Sequence, residues 1–132
     1  MKRNVLMPNF AKRNGLVTII AQDKNTREIL MVAFTDEIGF LETMATGEAV
    51  YYSTSRGKRW RKGEESGNIQ KVSQVLIDCD GDAVIYMVEQ IGEGACHTSK
   101  RSCFYRSVLR PTTKMKGRLE IRVISVTRNI QV

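Results

Sequence analysis

Aliphatic and β-branched residues come in short runs broken by polar turns. Gly15 to Ala21 and Glu28 to Phe34 flank the polar segment Gln22 to Arg27, which predicts a hairpin. From Asp36 to about Thr46, Ile38, Phe40, Leu41, Met44 and Ala45 recur at helical spacing. This predicts one amphipathic helix with Thr35 as its cap, Asp36 and Glu37 in its first turn and Gly47 at its end. Ala49 to Ser53 reads as a strand, and Ser53 to Asn68 as a polar, basic loop or ribbon outside the core. Val72 to Ile77 and Ala83 to Ile91 predict a second strand pair turning at Asp78-Cys79-Asp80-Gly81-Asp82. Gly92 to Arg106 is rich in Gly, Ser, Lys and Arg, and Leu119 to Val126 alternates as a last strand. Six short strands and one helix, without βα alternation, predict a β-rich α+β fold: a twisted, mainly antiparallel sheet or half-barrel, and no Rossmann unit.

At 132 residues and 15.0 kDa, with no linker or repeat, one domain spanning 1–132 is expected. A content of 42% hydrophobic and 27% charged residues, with 2 Pro, excludes disordered, collagen-like and low-complexity classes. Uncharged stretches such as Asn14 to Gln22 are far too short for a bilayer helix. The apolar run Val5 to Met7 is too short for a signal peptide, so a cytoplasmic location is expected. The net charge of +7 favours anionic partners, either phosphorylated metabolites or nucleic acid. The 3 cysteines are an odd number, and in a reducing compartment all of them are free for metal or redox chemistry.

Cys79, Cys96 and Cys103 lack the paired spacing of a zinc ribbon. Three thiolates can nonetheless hold zinc and leave a fourth position for water; the alternative is three buried structural thiols. His97, the single histidine, directly follows Cys96 and is a zinc ligand, a general base or a surface residue. A trithiolate zinc carries more negative charge than a trisimidazole one and acidifies water less, so a nearby base has a purpose. Asp78, Asp80 and Asp82 alternate onto one face of an extended segment and need a cation. Ala83 stands where an EF-hand requires Gly, so a Mg2+ site completed by water and substrate phosphate fits better, with a solvated acidic turn as the alternative. Arg56, Lys58, Arg59, Arg61 and Lys62 crowd around Trp60, a composition suited to phosphates or stacked bases, or to a plain solvated loop. No P-loop motif occurs.

Three segments, Trp60-Arg61-Lys62-Gly63-Glu64-Glu65-Ser66-Gly67-Asn68, Asp78-Cys79-Asp80-Gly81-Asp82-Ala83, and Ala95-Cys96-His97-Thr98 with Ser102-Cys103-Phe104-Tyr105-Arg106, closely resemble the phosphoribosyl-AMP cyclohydrolase family. The resemblance runs from about Phe10 to Arg106. It implies hydrolytic opening of the adenine ring of N1-(5-phosphoribosyl)-AMP at the N1 to C6 bond, in histidine biosynthesis, by zinc-activated water. It further implies Zn2+ on Cys79, Cys96 and Cys103, Mg2+ on Asp78, Asp80 and Asp82, and an intertwined homodimer whose zinc sites draw on both copies. His97 is the candidate for proton transfer. Arg56, Trp60, Lys62, Glu64, Ser66 and Asn68 are the substrate-binding candidates, although Lys62 and Glu64 could instead only stabilise the loop. Ser99 departs from the family's usual Gly, and Gly at such a place commonly supplies a positive φ. The 29 residues after Cys103 are too few for the pyrophosphohydrolase domain of some members, so a single activity is expected, and 107–132 reads as an extension of unknown role. The expected partners are the nucleotide substrate and a second copy, with neither nucleic acid nor membrane. The rival classes are a nucleic-acid-binding module with structural zinc and a redox or thiol-storage protein with metal-free cysteines.

Overall fold

The computed structural model describes residues 6–110 and 123–124. The predicted hairpin forms, as β1 (Leu16–Asp23) paired antiparallel with β2 (Ile29–Asp36). Helix α1 (Glu37–Thr46) follows, then β3 (Val50–Ser53), β4 (Lys58–Arg61), β5 (Gln70–Ile77) and β6 (Ala83–Gln90). Six strands make one curled sheet, a half-barrel, in the order β4-β3-β2-β1-β6-β5. The curl brings the β5 edge back to the start of β3, where Glu48 bridges Lys71, Ala49 N–H donates to Gln70 at 3.0 Å and Val72 N–H to Gly47 at 2.8 Å. Among the described residues every pairing but one is antiparallel. The exception is central: β1 and β6 run parallel, with Ile20 beside Ile85.

Period-two alternation sends Val17, Ile19 and Ala21 of β1 and Val84, Tyr86 and Val88 of β6 inward, where they meet Leu30, Met31, Phe40, Ala49, Tyr51 and Ala95. Each fully buried aliphatic side chain of this set stabilises the fold by about 1.5–3 kcal/mol.

Two readings of the middle segment need correction. The helix cap is Asp36, whose carboxylate accepts from Gly39 N–H at 2.9 Å; Thr35 Oγ1 donates instead to Val50 O at 3.1 Å. The helix also buries a different face from its apolar one. Gly39, Phe40 and Thr43 point inward, while Ile38, Leu41 and Met44 stay exposed. The cause is close approach: a Cβ on Gly39 would meet Thr35 Oγ1 at 2.5 Å, and Thr43 Oγ1 donates to Gly39 O and accepts from Val50 N–H, both at 2.9 Å. Small polar groups dock the helix, a contact that hydrophobic periodicity does not register.

The basic stretch is a ribbon, because β4 pairs with β3, and Trp60 is not outside the core as the sequence suggested. It packs on the buried Tyr51 ring, centroids 5.2 Å apart. Of the expected strand Leu119 to Val126, residues Val123–Ile124 form β8 against β7 (Ser107–Val108); the rest lies outside the described residues, as does most of the 107–132 extension. Among the described residues no helix is long and apolar enough to cross a membrane.

Candidate active site

Chemistry-bearing residues gather at the two ends of the β5–β6 pair. At one end, the chain leaving β6 folds into a narrow loop. Gly94, at φ 141°, lets backbone approach backbone, since a Cβ there would meet Lys100 O at 2.4 Å. Ala95 N–H donates to Arg101 O at 3.0 Å and Cys96 N–H to Lys100 O at 3.1 Å, so Cys96-His97-Thr98-Ser99 forms the tip. Ser99 adopts φ 64°, so the side chain that departs from the family pattern does sit in the left-handed region. The returning leg is fixed to β2 through Cys103 N–H to Leu30 O at 2.8 Å and Ser102 Oγ–H to Ile29 O at 2.7 Å.

This loop faces the segment after β4 across a cleft of about 440 Å3, lined by Lys62, Ser66, Asn68, Glu93, Cys96, His97 and Ser99. Asn68 Oδ1 accepts from Glu93 N–H at 3.0 Å. Behind the cleft, Gln90 Nε2 reaches the carbonyls of Asn68 and Ile91, both at 3.0 Å, and Gln90 Oε1 accepts from the fully buried Gln70 at 2.9 Å. Both walls therefore hang on one buried amide network, the arrangement that holds a polar site rigid.

The Cys96 and Cys103 thiols are near enough to influence each other's ionisation. Burial opposes ionisation of Cys96, but the Thr98 hydroxyl, 2.9 Å away, the Thr98 N–H and the Cys103 thiol outweigh it, leaving its pKa lowered. Burial first, and then the neighbouring sulfur, pushes Cys103 up to about 11. Burial likewise lowers Lys62, against the pull of both sulfurs, and its ammonium stands 5.9 Å from the Trp60 ring centroid.

At the other end, Asp78, Asp80 and Asp82 turn three carboxylate oxygens to within 4.8 Å of one another; among the described residues no other trio of Cys, His, Asp or Glu does so. A tight turn achieves this, with Gly81 at φ 80° and Gly81 N–H donating to Asp78 O at 3.2 Å, in place of the extended alternation expected. A 3-10 turn, Phe10–Arg13, lays two cations on the trio. Lys12 pairs with Asp80 and, at 3.5 Å, with Asp82, and Arg13 Nε meets Asp82 Oδ2 at 2.9 Å. The Lys12 hydrogen bond is the main reason Asp80 is held near about 2.

A model of the phosphoribosyl-AMP cyclohydrolase family matches residues 31–105. The chain is 54% identical over 107 residues to a phosphoribosyl-AMP cyclohydrolase of Methanothermobacter thermautotrophicus, covering 80% of this chain and 77% of that one. Identity to the enzyme of that name from Methanosphaera stadtmanae is 56% over 107 residues, 79% and 82% of the two chains. For that of Rhodopseudomonas palustris it is 52% over 104 residues, 79% and 68%. This chain belongs to the phosphoribosyl-AMP cyclohydrolase family.

As a cyclohydrolase-family member the protein is a hydrolytic enzyme. The fold unites Lys62, Ser66, Asn68, Cys96 and His97 at one cleft, with Cys103 beside Cys96. It does not bring Arg56, Trp60 and Glu64 there. Arg56 lines a separate hollow with Ser53, Ser55 and Trp60, and Glu64 lines another with Glu42, Arg59 and Arg61. Cys79 is exposed at the acidic tip, away from the other two thiols. The eight residues of β6, at about 3.3 Å each, put about 25 Å between the tip and the start of the cysteine loop. Glu93 was not singled out in the sequence, where its one signal is a place between Gly92 and Gly94 beside the cysteine loop.

Proposed function

We propose that this chain hydrolyses the N1 to C6 bond of N1-(5-phosphoribosyl)-AMP, giving the imidazole carboxamide ribotide of histidine biosynthesis. The observation that carries the reading is the cleft in which Cys96 and His97 face Lys62, Ser66 and Asn68. Two neighbouring thiols, Cys96 and Cys103, suit a thiophilic divalent ion, which they would bind as thiolates. Cys96, Cys103 and the Cys79 of a second copy would hold zinc, which when bound acts as a Lewis acid and lowers the pKa of water. His97 takes a proton from the water whose oxygen bonds to C6 and delivers it to N1 as the N1 to C6 bond breaks. Asn68 and Ser66 orient ribose and phosphate oxygens, and Lys62 offsets phosphate charge. The carboxylate trio suits Mg2+, a hard ion taking one or two carboxylates plus water and phosphate, and binding there exchanges the Lys12 and Arg13 ion pairs for the ion.

A homodimer follows from the same reading, because Cys79 and the Cys96–Cys103 pair lie a strand's length apart in one copy. The outer face of the sheet supports it. Val32, Ile20, Ile85 and Leu76 stand side by side in register across four strands, and Val32 and Leu76 are 47% and 41% exposed. An exposed apolar row of this kind marks a surface that associates.

The test is incubation with phosphoribosyl-AMP, following purine absorbance with and without chelator. Loss of the chromophore, stopped by chelator and restored by zinc with magnesium, is expected. An unchanged spectrum with fully metallated protein overturns the reading.

A further inference from the structure

Arg101 sits between the two loop cysteines and is the side chain that ties their loop to the β1–β2 turn at the same end of the sheet. Its Nη2 donates to Asp23 Oδ2 at 2.6 Å, and its Nε lies 2.8 Å from Glu28 Oε1. Both carboxylates are nearly buried, with side chains 8% and 9% exposed, so two negative charges share one guanidinium where little water reaches. Asp23 is itself fixed, its Oδ1 accepting from Asn25 and Thr26 N–H, both at 2.9 Å.

The two cysteines are not held alike. Cys103 is bonded directly to β2 through Leu30. Cys96 and the preceding Ala95 are bonded instead to the backbone of Lys100 and Arg101. The position of Cys96 relative to Cys103 thus depends on where residue 101 is anchored, and its guanidinium, hydrogen-bonded to Asp23 and in ion-pair contact with Glu28 without a hydrogen bond to it, sets that anchor.

We infer that Arg101 is a positioning residue for the metal centre: by bridging Asp23 and Glu28 it holds the Cys96 and Cys103 thiols at the spacing a divalent ion requires. The inference rests on the zinc reading above. Groups that orient metal ligands from outside typically change metal affinity by about 10–100-fold when removed.

The experiment uses the full-length chain as purified, as Arg101→Met, Arg101→Lys and Glu28→Gln. Zinc affinity is measured by chelator competition, and the thiolate-to-cobalt absorption of the Co2+-substituted protein reports ligand geometry. Arg101→Met is expected to weaken zinc about 10–100-fold and alter the cobalt bands while the far-UV spectrum of the sheet persists. Arg101→Lys, which keeps the charge and loses the fork, should recover part of both signals. Wild-type zinc affinity and cobalt bands in both Arg101 variants would overturn the proposal. If Arg101→Met does not fold, Glu28→Gln, which leaves the Asp23 contact in place, decides: several-fold weaker zinc supports the anchor, and unchanged zinc with unchanged bands refutes it. A wild-type protein without thiolate-to-cobalt absorption would instead remove the zinc reading itself, and this inference with it.

Discussion

The two ends of the β5–β6 pair gather chemistry-bearing side chains in different ways. At the acidic tip one chain supplies all three carboxylates, and a turn of six residues from Asp78 to Ala83 gathers them with Lys12 and Arg13 already opposing their charge. At the cleft one chain supplies two thiols, with a lysine and a histidine nearby. A set made from residues two apart is assembled by local backbone. One drawn from residues 17 and 7 positions apart, with a strand between, is, on the proposed reading, left for a second copy to finish.

The sharpest way to break this contrast is to remove one thiol. Cys96→Ser or Cys103→Ser is expected to abolish zinc binding and to cut turnover roughly 10^3-fold or more, the scale of losing a Lewis acid worth several kcal/mol. Mixing inactive Cys79→Ser and Cys96→Ser chains under exchange conditions should then recover about a quarter of wild-type activity, since half the dimers are mixed and each holds one intact site. No recovery in the activity assay would make both ends single-chain sites. His97→Ala should lower kcat by about 10^2–10^4-fold with zinc retained by metal analysis; release of zinc would make His97 a ligand.

A smaller effect separates the two thiols of the metal-free chain. Cys103 is raised by folding to about 11, so any stability it contributes is present below the unfolded thiol pKa and lost as pH rises through about 11; Cys96 is shifted the other way. Alkylation followed by mass spectrometry should label Cys96 at lower pH than Cys103, and the reverse order would contradict the Thr98 contact as the cause. At the tip, Lys12→Met removes an exposed cation that competes for the carboxylates and should tighten Mg2+ binding by less than about 5-fold in calorimetry, as exposed ion pairs contribute little. Smallest of all, Ser99→Gly relieves a left-handed side chain and should stabilise the fold by less than about 1 kcal/mol in thermal melts.

The hairpin and the β5–β6 pair were legible because their inner and outer positions alternate with period two, as Val17, Ile19 and Ala21 show. The carboxylate trio and the pairing of Cys96 with His97 were legible because they are close in sequence. The parallel pairing of β1 with β6 was not, since more than 60 residues separate partners such as Ile20 and Ile85 and neither strand marks its neighbour. The buried helix face was hidden because Gly39 and Thr43, not Leu41 or Met44, make the contact. Glu93 was missed because its place in the cleft comes from the loop's path, not from a pattern of residue types.

The same parallel pairing orders events in time. A nascent chain exposes the finished β1–β2 hairpin with an open β1 edge until residues 83–90 arrive, and it must pair partners more than 60 residues apart before the six-stranded sheet is complete. Such distant pairing slows folding and leaves an unmatched backbone edge open to aggregation meanwhile, so the emerging hairpin is where chaperone protection has the most to act on.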